Sequence, residues 1–136
     1  MTISNINVIS NKASIPKSVM NLYISNSQLI PDLIDFSNLK EITFVNCEGN
    51  IHLNNCPNLE SITITGCKNI NLTLQGCGNN NKYINLSNSS TNFNQIIFDG
   101  SYINYLDLQS LTFNLSFTGE KSYFNIVNLS ESTILN

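Results

Sequence analysis

The feature that most constrains this chain is a repeat with a step of twenty residues. Written as apolar-x-x-apolar-x-apolar-x-x-small, it fits Val19, Leu22, Ile24, Ser27; then Leu39, Ile42, Phe44, Cys47; then Leu59, Ile62, Ile64, Cys67. It continues through Ile84, Leu86 and Ser89, then Ile103, Leu106, Leu108 and Leu111, each after a step of twenty-two, with a degraded copy at Tyr123 and Ile126. A weaker half-repeat lies between these: Ile51, Leu53, Cys56; Leu72, Leu74, Cys77; Ile96, Phe98, Ser101; and Leu115, Phe117. Each period thus carries two segments with the period-two alternation of a half-buried strand, and no amphipathic helical stretch competes with them.

One coil of this length cannot bury its own apolar side, whereas stacked coils let each inward position meet its copy above and below. The inward columns predicted are Leu22–Ile42–Ile62–Ile84–Leu106 and Ile24–Phe44–Ile64–Leu86–Leu108. The expected fold is a mainly β repeat solenoid of about five to six coils, with short strands on two faces and little or no helix. It forms a single domain over 1–136: an N-terminal cap at 1–18, clear repeats at 19–111, and a degraded last coil or C-terminal cap at 112–136.

The segments LKEITFVNC, LESITITGC and VMNLYISNS resemble the L-x-x-L-x-L-x-x-N/C core of leucine-rich repeats, here in short, cysteine-containing units over roughly 19–111. The resemblance, to that family or to a related β-solenoid, implies a first strand lining the concave face and a role in protein recognition. Asparagine is missing from the ladder position and the second half-repeats read as strands, so a horseshoe and a straighter two-sheeted solenoid both fit.

Composition narrows the function classes. Only 11% of residues are charged, 25 of 136 are asparagine, arginine is absent and the net charge is −3. With six scattered lysines there is no basic stripe to displace counterions from a phosphate backbone, so no nucleic-acid partner is expected. No apolar window is long enough to span a bilayer and the start lacks an export signal. The expectation is a cytoplasmic protein without membrane contact, acting inside a host cell if a pathogen or virus encodes it.

The four cysteines fall at equivalent places, Cys47 with Cys67 and Cys56 with Cys77. Their spacing is too wide for the close pairs of a zinc site, so buried corner thiols are expected, with stacked disulfides geometrically conceivable. His52 is expected to face solvent, Asp99 and Asp107 fall on different sheets, and no nucleophile–base pair is readable. The expected protein has no catalytic activity, metal or cofactor.

The candidate partner-binding surface is therefore the outward side of the first strands: Tyr23, Glu41, Thr43, Thr63, Tyr83, Asn85, Tyr105 and Asp107. Tyr83 and Tyr105 are predicted vertical neighbours beside Asp107, either a binding hot spot or a ring stack that stabilises a coil boundary. The strand face measures on the order of 400–450 Å², against about 800 Å² per partner in a standard interface, so a stable partner must also grip corner loops such as 78–81. The partner expected is another protein, with the chain a monomer or an end-to-end or edge homodimer. Carbohydrate or surface binding and structural self-assembly are the alternatives.

Overall fold

Residues spaced by one period share the same inward–outward alternation, so neighbouring coils pair in parallel with like against like. The computed structural model describes residues 1–4, 16–29, 33–34, 37–78, 83–85 and 91–136; for 3–4, 29, 33–34 and 83–85 it describes the backbone alone. Its strands are β1 (Thr2–Ser4), β2 (Asn21–Ser25), β3 (Gln28–Leu29), β4 (Leu33–Ile34), β5 (Glu41–Val45), β6 (Glu48–Asn54) and β7 (Ser61–Thr65). They continue with β8 (Lys68–Gln75), β9 (Tyr83–Asn85), β10 (Phe93–Asp99), β11 (Tyr102–Asp107), β12 (Thr112–Phe117), β13 (Tyr123–Asn128) and β14 (Thr133–Ile134). None of the described residues is helical.

The first-strand face runs β1-β2-β5-β7, and then, with β9 lying against β7, β9-β11-β13. The second face runs β3-β6-β8-β10-β12-β14, with β4 also on β6. The stacked parallel strands make a β-solenoid of about four turns. The first and last coils have second strands of only two residues, β3 and β14, which reconciles this with the five to six coils expected.

The register follows the predicted columns as far as β11. In the last coil it falls one residue later than the degraded copy expected at Tyr123 and Ile126, with Phe124 opposite Ile103 and Val127 opposite Leu106, because Tyr123 and Ile126 continue the outward positions of Tyr102 and Tyr105. Leu22, Ile42 and Ile62 lie opposite one another, as do Ile24, Phe44 and Ile64, and Ile84 lies opposite Leu106. On the second face Ile51–Leu72–Ile96–Leu115 and Leu53–Leu74–Phe98–Phe117 form matching columns. From Leu22 to Phe113 these inward side chains, where described, are buried; the predicted Leu86 and Ser89 lie outside the described residues. Burying each such aliphatic or aromatic group contributes about 1.5–3 kcal/mol, so the core is a sum over neighbouring coils.

The asparagine content has two structural uses. Asn26, Asn46 and Asn55 adopt left-handed backbone (φ 50, 53 and 53°) at the corners that follow strands, where Gly66 and Gly76 stand in other coils (φ 65 and 59°). Others stack amide on amide along the outside: Asn71 Nδ2 donates to Asn50 Oδ1 (3.1 Å) and Asn125 Nδ2 to Asn104 Oδ1 (2.8 Å). No helix among the described residues is long and apolar enough to cross a membrane.

Candidate functional site

Immediately after the left-handed corners at Asn26, Asn46, Asn55, Gly66, Gly76 and Gly100 the chain turns a small side chain inward, and such side chains form two spines. In the first, Cys67 Sγ accepts the Cys47 N–H (3.3 Å) while its thiol faces the Phe44 carbonyl (3.7 Å); Thr91 Oγ1 accepts the Cys67 N–H (3.1 Å) and donates to the Ile64 carbonyl (3.1 Å). In the second, Ser101 Oγ accepts the Cys77 N–H (3.2 Å) and donates to the Leu74 carbonyl (2.8 Å), and Ser122 Oγ accepts the Ser101 N–H (3.1 Å). Each corner side chain thereby satisfies backbone groups of the coil before it at a bend where the strand ladder is interrupted. Burying those groups unpaired would be costly.

This geometry makes the cysteines structural. None of the four forms a disulfide, and all are at most 2% exposed. The hydrogen bond shared by Cys47 and Cys67 draws Cys47 down and pushes Cys67 up, while burial pushes both up. Hydrogen bonding to Cys56, then burial, holds Cys77 well above the ordinary thiol value. His52, expected to face solvent, is instead half-buried, with Nε2 3.0 Å from Gln75 Oε1 of the next coil. Among the described residues no group of three His, Cys, Asp or Glu is placed to hold a metal.

The eight residues proposed from sequence fall on consecutive first strands. Tyr23, Thr43 and Thr63 are register partners, Glu41 lies on the flanking column, and Tyr83 and Asn85 lie opposite Tyr105 and Asp107. Tyr23, Glu41 and Thr63 are exposed, Thr43 and Tyr105 half-buried; the side chains of Tyr83 and Asn85 lie outside the described residues.

Asp107 requires a correction. It is only 8% exposed, and its Oδ1 accepts the Gln109 N–H (3.1 Å) and the Asn128 Nδ2–H (3.2 Å). At the end of β11 a short carboxylate folds back over the turn two residues on, and the next coil's amide covers it. Asp107 thus closes a turn and offers little to a partner.

An aromatic pair escaped the sequence reading. Tyr102 and Tyr123 begin β11 and β13 as register partners, stack at 4.9 Å with an interplanar angle of 16°, and are 44% and 52% exposed. They border a shallow hollow of about 210 Å³ together with Ile103, Phe124 and Asn125. Ile126, 54% exposed, continues the column of Tyr105 beside them. The available signal was positional: each tyrosine directly follows a spine serine, Ser101 or Ser122.

No family model, curated protein or solved structure matches the chain.

Proposed function

We propose that this chain is a non-enzymatic protein-recognition module, leucine-rich-repeat-like in its coil, that engages another protein with the first-strand face and adjoining corners. The observation that carries this reading is the stacked, exposed Tyr102–Tyr123 pair flanked by Tyr105 and Ile126. Tyrosine combines a rigid apolar ring with a polar tip, and binding energy concentrates on such residues. Tyr23, Glu41 and Thr63 extend the surface toward the N-terminal coils. The site of action proposed is the cytoplasm, where buried thiols such as these four stay reduced.

Affinity capture from cells expressing the chain, followed by a Kd measurement on the purified partner, tests this. Tyr102→Ser combined with Tyr123→Ser is expected to weaken that Kd at least ~30-fold, the scale of a hot spot of about 2 kcal/mol. An unchanged Kd for a folded double variant would move the contact off this face.

A further inference from the structure

The coil spanning 119–136 repeats the register of those before it but not their burial. Val127 lies opposite Leu106, which is 2% exposed, yet Val127 is 40% exposed; Ile134 lies opposite Phe113, 0% exposed, yet is 41% exposed. Leu129, Leu135 and Phe117 add further apolar surface at 43%, 61% and 62% exposure. At the same end, β13 and β14 are the outermost strands of their sheets, and no described strand pairs with their outer edges. An occupant of this end would cover an apolar strip and pair two strand edges together.

We propose that a second copy of this chain docks here, coil against coil across a two-fold axis perpendicular to the stacking direction. That rotation sets β13 antiparallel to its own copy and β14 antiparallel to its own copy. Both sheets continue, the two apolar strips meet, and both edges are sealed in one step. The contact uses the same patch on each copy, so it closes at two and does not propagate into a fibre. A two-fold contact is opposed when like charges meet, and residues 119–136 carry three charged side chains of net charge −1, Glu120, Lys121 and Glu131, none of them on β13 or β14.

Size sets the strength. β13 is about 20 Å long and β14 only about 7 Å, in sheets ~10 Å apart, so with their side chains the end face is at most about 500 Å² per copy. That lies below the ~800 Å² per partner of a standard interface, so the dimer is weak and reversible, with a Kd on the order of micromolar or above. This inference does not rest on the protein-recognition reading: it uses the strand edges, and its variants leave Tyr102 and Tyr123 in place.

Sedimentation velocity on the 136-residue chain from about 5 μM to about 500 μM, the range implied by that Kd, is expected to show the mass rising from 15.1 kDa toward twice that value. Val127→Lys with Leu135→Lys places like charges on both copies at the contact and should move the midpoint at least ~10-fold higher, as expected when like charges oppose each other across an interface. Lys40→Glu, on an exposed position of an interior coil, should leave it in place. Leu135→Lys alone, beyond β14, gives the same direction of shift should circular dichroism show that the double variant is unfolded. A single-chain mass throughout, growth beyond two copies, or a midpoint unmoved in the folded lysine variants would overturn the proposal.

Discussion

The coils between 41 and 78 and the coil at 119–136 share alternation, parallel register and corner chemistry, yet differ in what their inward residues achieve. Ile42, Ile62 and Leu72 are at most 1% exposed, whereas Val127 and Ile134 are 40% and 41% exposed. Corner bonding persists in the last coil, where Ser122 accepts from the Ser101 N–H and Ser132 donates to the Leu108 carbonyl. Local chemistry thus survives to the edge of the stack, while burial requires a neighbour on both sides. In a solenoid the interface between coils, more than the coil itself, is the unit of stability.

Phe44→Ala against Phe117→Ala probes this contrast most strongly. Phe44 is enclosed between Ile24 and Ile64 and is 1% exposed. Its removal should cost about 3–5 kcal/mol in denaturant unfolding, whereas truncating Phe117 should cost under about 1 kcal/mol. Equal losses would mean that the last coil is as well covered as the middle.

Gly78→Ala comes next. Gly78 has φ 74°, and an added Cβ would press into the Tyr102 carbonyl oxygen of the following coil. Left-handed backbone alone costs a side chain about 1–2 kcal/mol, so with the clash a loss of at least ~2 kcal/mol is expected by thermal unfolding. Near-neutral behaviour would show that coil spacing there is compliant.

Alkaline pH tests the thiol spines. Cys67 and Cys77 have folded values raised above the ordinary thiol value, so the stability they contribute is complete below about pH 8.5 and is lost as pH climbs toward those raised values. Between pH 8.5 and 9.5 the loss should approach ~1 kcal/mol for Cys77 and be smaller for the Cys47–Cys67 pair, because Cys47, drawn down by their shared hydrogen bond, adds stability as pH rises through the same range. Cys67→Ser with Cys77→Ser should flatten that slope, since serine does not titrate there and already serves the same position at Ser101. An identical slope in the variant would assign the pH dependence to other groups.

A comparably small effect is expected at the exposed stack. Tyr123→Ala removes a ring that is 52% exposed and should cost only about 0.5–1.5 kcal/mol in stability. A larger loss would make the pair a structural clamp and weaken its claim as a binding surface.

Much of the architecture was legible because each signal was repeated. Leu22, Ile42 and Ile62 recur at one interval within an unbroken alternation, so strand, facing and register were readable together. The candidate surface was less legible. Asp107 occupies an outward register position, but its carboxylate turns back onto Gln109 and Asn128, a choice made by a turn and by the following coil. Tyr102 falls outside the repeat template, so periodicity gave no reason to pair it with Tyr123.

By itself the sequence determined the period, the two faces, the inward columns and the small residues at the corners, because side-chain direction along a strand follows from alternation alone. The tertiary structure decided which outward side chains are free, which aromatic rings meet, and where the stack offers an uncovered end. Those outcomes depend on the residue one coil away, and the coil step is not constant: it lengthens from 20 residues at Cys47–Cys67 to 24 at Cys67–Thr91 and Cys77–Ser101.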